Sequence, residues 1–444
     1  MSDELVISFL FPPSDNVSGI TVSKRIIENN ETVDVLQAKC KNNLNSKFND
    51  CIEEYIGERI IIDTDCDSDW AECIFEFVKL AMPAIKKDYK KIYSRSWLMT
   101  NHFLAFEYKL KNSTVLWKAE FSDPLIYDLS NKPKTYKQMI IDDTVYINKI
   151  NDWINLLNEN KGSSFPLIEN KSSAYFVAEY LVYLFADKII FTNENQREIM
   201  LRQFPVDVYD FVLDKSEIKS HPTLEEKYYH IEEAELDLND EYINIAYFGS
   251  DYYGKRHFEP LFFALESLNH KYKEKIKLHI FINDRKLLKG LISTLSVSDN
   301  IIIRKPLKYL EFLNATTKFD ILVVNDVITD GVYEINPYLP SKLSDYLGSS
   351  SDIWAISERG SPLSKREVKY KSDIHDFESC GDALIGILND NGYVDENYSF
   401  DEYYNARLTS LNELYEKEFK KNVKLKKQLK ELKKEKPQKR FRIF

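Results

Sequence analysis

A chain of 444 residues that is 43% hydrophobic and 30% charged has ordinary globular composition and length enough for at least two cores. Its 12 Gly and 14 Pro exclude the collagenous and disordered classes, and five cysteines without a CxxC pair argue against both a disulfide framework and a structural zinc site. The net charge of −11 hides an asymmetry, because residues 420–444 hold twelve Lys or Arg against Glu431 and Glu435; that balance of +10 leaves −21 on residues 1–419, and an acidic body speaks against nucleic acid as a partner.

The N-terminus, MSDELVISFLFPP, has no basic region before its apolar run, and no run of about 18 apolar residues occurs, so neither secretion nor membrane spanning is expected. A reducing, cytoplasmic home follows. Leu5–Phe11 reads as a first strand, the loop Pro12–Ser18 leads to Gly19, and Ile20, Val22, Ile26 and Ile27 have helical spacing before a second strand over Thr32–Gln37. Arg59–Ile62, Lys91–Ser94 and Val115–Phe121 read as further strands, with helices over Trp70–Ile85 and Met99–Lys111 between them. Helices are expected over Thr144–Asn158 and Ala174–Phe185, then a strand over Lys188–Thr192. Residues 215–240 are charged and aperiodic and read as a linker. A second alternating series runs from strand Ile243–Phe248 through Lys277–Ile282, Ile301–Ile303, Asp320–Asn325 and Ile353–Ile356, with helices between and after. Alternation of this kind predicts two doubly wound parallel sheets. The expected domains are therefore 1–214 and 241–395, followed by a helix at 396–419 and a basic tail at 420–444.

Two loops in the second half carry candidate chemistry. After Asp320–Asn325 comes a polar loop to Tyr338, then Pro340 and a helical pattern from Ser341. A helix N-terminus beside the carboxyl end of a strand favours an anion, with Ser341 and Lys342 suited to phosphate and Asp345 to ribose or sugar hydroxyls. An ordinary α/β loop is the competing reading. Strand Ile243–Phe248 likewise runs into Gly249, Ser250, Gly254, Lys255 and Arg256, where glycines admit a ligand and adjacent cations can neutralise a diphosphate. A basic turn before a helix would look the same. Gly19 in the opening βαβ pattern is a single glycine where a phosphate loop usually has several.

YFGSDYYGKRHFEPLFFAL, with EINPYLPSKLSDYLG and WAISERGSPLS downstream, resembles the donor domain of GT-B glycosyltransferases, near family 4. YSRSWLMTNHFLAFEYK, WKAEFSDPL and ADKIIFTNENQREIML are similar to the acceptor domain of the same enzymes. The resemblance implies two Rossmann-like domains facing a cleft and a metal-independent, retaining hexosyltransferase that needs no cofactor beyond its nucleotide-sugar donor. It further implies that Lys255 and Arg256 hold the donor diphosphate, and that Asp345 matches the second acid of the family's paired-glutamate motif. Glu334 and Asn336 lie near the first acid's place with different spacing. Asp123 and His102, near the carboxyl ends of N-terminal strands, are expected to orient the acceptor hydroxyl, with an Asp-Pro turn and a cap as their structural alternatives. The expected acceptor is a cell-surface glycan, a teichoic-acid-like polymer or a lipid-linked sugar. A polyol-phosphate transferase and a non-catalytic scaffold of polysaccharide assembly are the alternatives.

IIIDTDCDSDW alternates aspartates as metal loops do, but a calcium hand needs glycine and glutamate where Ser68 and Ile74 stand, and two α/β halves disfavour a DxD site. Asp67 or Asp69 is expected to cap the next helix. In the tail, Leu411, Tyr415, Leu425, Leu429 and Leu432 share a stripe amid the basic residues, and contact with an anionic membrane surface or polymer is expected over a coiled coil.

Overall fold

This computed structural model describes residues 2–394 except 15, 41–45, 66–69, 250–255, 257, 284–287, 290, 291 and 294. The expected helix at 396–419, the tail at 420–444, the aspartates Asp67 and Asp69, and the candidates Ser250 and Lys255 lie outside the described residues. Seven strands form the first sheet: β1 (Glu4–Ile7), β2 (Val33–Ala38), β3 (Ile56–Ile62), β4 (Lys91–Ser96), β5 (Leu116–Phe121), β6 (Lys188–Phe191) and β7 (Ser216–Ile218). Six form the second: β8 (Ile243–Phe248), β9 (Ile276–Phe281), β10 (Ile301–Arg304), β11 (Ile321–Asn325), β12 (Asp352–Ser357) and β13 (Tyr370–Asp373).

The orders are β3-β2-β1-β4-β5-β6-β7 and β10-β9-β8-β11-β12-β13, with every pairing parallel. Central strands are largely apolar because helices cover both faces, and β2, β8 and β11 are buried at every position, their few polar residues such as Asp34, Gln37 and Asn244 included. Strand order reverses between β1 and β4 and again between β8 and β11. In such sheets the crevice for a ligand opens beyond the carboxyl ends at that reversal. Two Rossmann-like domains facing a cleft are thus observed as expected from the alternation.

The linker reading needs correction. Ser216–Ile218 adds β7 to the first sheet, a short polar edge strand without the apolar run that marks a buried one. The following segment packs tightly against the second domain, where Tyr229 Oη donates to the Asp345 carbonyl at 2.6 Å and Asn314 Nδ2 donates to the Tyr229 carbonyl at 2.9 Å. Its Leu224, Tyr228, Tyr229 and Ala234 are buried. A charged sequence conceals this because its buried residues lack a regular period. The domains also touch directly, with Phe48 edge-on to Tyr309 at 4.8 Å and Lys24 Nζ 2.9 Å from Asp345 Oδ1.

Candidate functional site

A cavity of about 360 Å³ lies where the two strand-order reversals face each other. From the first domain it receives Ser18 at the start of helix Val17–Asn29, Arg95 and Trp97 at the end of β4, Ser122 and Asp123 after β5, and His221 beyond β7. From the second come Gly249 after β8, Arg256, Val327 after β11, and Tyr338 to Lys342. Every contributing loop leaves the carboxyl end of a strand or feeds the helix after one.

The first-domain wall rests on a buried charge network. Glu120, fully buried on β5, accepts from Arg25 Nε at 2.9 Å, Arg95 Nε at 3.0 Å and Tyr93 Oη at 3.0 Å. Burial works to raise its pKa, yet the Arg25 and Arg95 guanidiniums hold the carboxyl down to about 2. Arg25 also pairs with Glu28 at 3.2 Å, and Arg95 reaches the cleft, where its Nη1 donates to Ser18 Oγ at 2.9 Å. Burial and then the charge of Arg95 push the His221 imidazole down to about 3, so it lines the cleft neutral, with Nδ1 lacking a hydrogen-bond partner among the described residues. Burial raises the Asp123 carboxyl above the usual aspartate range despite nearby Arg95.

On the opposite wall, Lys342 Nζ lies 3.8 Å from the centre of the Phe312 ring. Burial pushes its ammonium below the usual lysine range, with Arg256 and Lys24 adding to the effect against Asp345. Helix Lys342–Tyr346 is five residues long, and its first donors are already engaged: Leu343 N–H donates to the Pro340 carbonyl at 3.1 Å and Ser344 N–H to Ser341 at 3.2 Å. The expected array of free N–H groups at Ser341 is therefore much reduced, and Pro340 precedes the helix instead of sitting in its first turn. The longer dipole at the cleft belongs to Val17–Asn29, whose cap Asn16 accepts from Ser18 N–H at 2.9 Å.

Of the residues singled out from the sequence, Asp123, Gly249, Arg256, Ser341 and Lys342 meet at this cavity. Others stand elsewhere. His102 is wholly buried under the sheet, its Nδ1 2.9 Å from Ser94 Oγ and its ring 5.4 Å from Phe121, so it is a core residue away from the cleft. Gly19 is a packing glycine, because a Cβ there would come 2.2 Å from the Leu10 carbonyl oxygen. Glu334 is exposed and paired with Arg202 of the first domain at 2.5 Å. Asn336 braces a loop: its Nδ2 donates to the Val327 carbonyl at 2.9 Å and Glu358 Oε2 at 2.8 Å, and its Oδ1 accepts from Tyr338 N–H at 2.9 Å. Asp345 is buried and already holds Lys24 and the Tyr309 hydroxyl, each at 2.9 Å from Oδ1. Arg95, His221 and Trp97 were not anticipated; the charge inside the β4 pattern KIYSRS was the available signal for Arg95.

No family model matches the chain, and no curated protein matches it in sequence. Solved structures do match. Sucrose-phosphate synthase from Thermosynechococcus elongatus is 12% identical, with 97% of this chain and 99% of that one covered at a TM-score of 0.54. Anabaena HepE in complex with UDP-glucose is 8% identical, with 94% and 99% covered at 0.54. The E. coli trehalose-6-phosphate structure bound with UDP-2-fluoro glucose is 9% identical, with 93% and 95% covered at 0.53. At these identities the likeness is one of fold, the GT-B arrangement of two Rossmann-like domains, and it spans nearly the whole chain.

Proposed function

We propose that the protein is a glycosyltransferase near family 4 that moves a hexose from a nucleotide-sugar, with UDP as the nucleotide to test first, to a hydroxyl of a cell-surface polysaccharide, teichoic-acid-like or lipid-linked acceptor. One observation carries the reading: cations from both domains, Arg95 on one wall and Arg256 and Lys342 on the other, converge with Asp123 on a cavity at both strand-order reversals. The full-length likeness in fold to proteins solved with UDP or UDP-sugars supports it.

Arg256, Lys342 and Ser341 face the diphosphate, and Lys255 joins them by the resemblance. As the bond from the anomeric carbon to the phosphate oxygen breaks, negative charge grows on the leaving diphosphate, and these donors stabilise it most at that point. Asp123 orients the acceptor hydroxyl, whose oxygen bonds the anomeric carbon while its proton passes to the carboxylate or to the departing phosphate. A raised pKa makes that carboxylate a better base. Asp345 is better assigned to bridging the domains than to ribose, since Lys24 and Tyr309 occupy it. The polyol-phosphate alternative expects paired histidines, whereas His221 lines the cavity and His102 lies in the core.

Thermal unfolding against a panel of nucleotides tests the reading. A uridine nucleotide at a hundredfold excess over its dissociation constant should add about 2.7 kcal/mol. No shift with any nucleotide would leave the scaffold alternative standing. The anomeric configuration of the product, read by NMR, then decides whether the transfer proceeds with retention, as the resemblance implies. Salt-sensitive vesicle binding lost on removing 420–444 tests the tail as an anchor.

A further inference from the structure

Beyond Asp123 the cleft continues into a second cavity of about 560 Å³ on the first domain, of a size that takes a small molecule. Both cavities share Trp97, Ser122, Asp123 and Tyr338, so a ligand in the second would reach the first across Asp123. Its walls are aromatic to an unusual degree. Trp97 is 50% exposed and Tyr136 57%, and Tyr175 and Tyr338 stand deeper in the same walls. Large rings left open to water around a concave polar site are the surface that a ligand with apolar faces would cover.

Charge selects among such ligands. Asp123 and Asp128 line the cavity against one cation, Lys134, whose ammonium stands 4.7 Å over the Tyr175 ring and donates to the Pro124 carbonyl at 3.4 Å. Asp128 is held in place, its Oδ1 accepting from Ser130 N–H at 2.8 Å and Lys132 N–H at 3.0 Å. Two carboxylates against one ammonium leave a negative balance that disfavours a phosphodiester chain. They accept charge-assisted hydrogen bonds from hydroxyls, while the C–H faces of a pyranose present weakly positive hydrogens to the negative faces of aromatic rings.

We infer that this cavity binds the acceptor through an uncharged saccharide unit, stacked on Trp97 and Tyr136 and hydrogen-bonded to Asp123 and Asp128. The acceptors proposed for the enzyme thereby narrow to those that present a neutral sugar, and a polyol phosphate or an anionic lipid headgroup is not its ligand. The inference rests on the glycosyltransferase reading where it sets the reactive hydroxyl at Asp123; saccharide binding itself does not depend on that reading.

The experiment is titration of the full chain with neutral hexose and N-acetylhexosamine di- and trisaccharides, with poly(glycerol phosphate), and with phosphatidylglycerol vesicles, each beside UDP. Neutral saccharides should bind, Tyr136→Ala should weaken them about tenfold, and Tyr136→Trp should restore them. UDP affinity should be unchanged by either substitution, because Tyr136 is not among the residues of the first cavity. Saccharide binding without UDP binding would sink the nucleotide-sugar reading and leave the saccharide site standing. The inference is overturned if UDP binds and no neutral saccharide does, if Tyr136→Ala has no effect on saccharide affinity, or if poly(glycerol phosphate) binds more tightly than the neutral sugars.

Discussion

Glu120→Gln preserves shape while removing the carboxylate shared by Arg25 and Arg95, both 3% exposed. A glutamate ordinarily near 4.5 and here held to about 2 gains roughly 3 kcal/mol of stability at neutral pH, at about 1.36 kcal/mol per tenfold. Breaking a buried pair and leaving its partner charged costs a similar 3–5 kcal/mol or so. A domain of roughly this size loses about 2–4 °C of melting temperature per kcal/mol, so a fall of roughly 6–12 °C is expected. The pH dependence gives a sharper check. Because the folded-state value lies below the unfolded one, the contribution is complete above about pH 4.5 and vanishes as the pH falls towards about 2. Urea unfolding followed by tryptophan fluorescence should therefore show a gap between wild type and variant of about 3 kcal/mol at pH 7, shrinking to about half by pH 3. Nucleotide affinity should fall too, since Arg95 reaches Ser18 at the cleft from this anchor. A gap below about 1 kcal/mol at pH 7, or one that is the same at pH 3, would refute the network's role.

Arg256→Ala should weaken UDP binding at least tenfold in direct titration, as expected for loss of a charge-assisted contact of about 1.5–3 kcal/mol. Lys342→Met should lower kcat more than it raises the donor dissociation constant, because the leaving-group charge it meets grows in the transition state. Asp123→Asn should cut kcat by about 10²–10⁴ while UDP still binds, and equal losses in both would remove it from the acceptor side. Burial raises Glu179 to about 7 where its carboxyl accepts from Tyr183 Oη and Leu125 N–H. With the folded-state value above the unfolded one, wild-type stability falls as pH rises from about 4.5 to about 7, so Glu179→Gln should gain on wild type over that interval in parallel melts.

The alternation of apolar runs was enough to read two parallel sheets, because strands covered on both faces are mostly apolar and only a few polar positions, such as Asp34 and Gln37 in β2, interrupt the pattern. What escaped were edges and local geometry. β7 and β13 are short and polar, so their pairing partners rather than their composition make them strands. Arg256, Ser341 and Lys342 were legible because loops at the carboxyl ends of strands must face the crevice, whatever their conformation. His102 failed for the opposite reason: it follows such a loop, but helix Thr100–Lys111 turns that side chain inward to Ser94 and Trp117, and spacing does not tell a helix covered on several sides which residue faces the ligand. Glu334 and Asn336 lie in a loop whose path is set by Arg202 and Glu358, both far away in sequence.

Asp345 shows why a motif position and a role can part company. Lys24 Nζ, 321 residues earlier, meets its Oδ1 at 2.9 Å and Ser344 Oγ at 2.8 Å, and the pair is almost completely buried between the domains. Removing two charges from water costs several kcal/mol, which good geometry and added hydrogen bonds must offset, here those of Tyr309 Oη and Ser344. Such a pair contributes little net stability but is strongly unfavourable when misaligned, so it favours the one domain orientation in which both charges are satisfied. That orientation sets Arg95 and Asp123 opposite Arg256 and Lys342 across one cavity. An acid that the family resemblance gives to ribose is here engaged in a buried contact between the domains. On the proposed reading, recognition of the nucleoside comes from other groups on the cleft's walls.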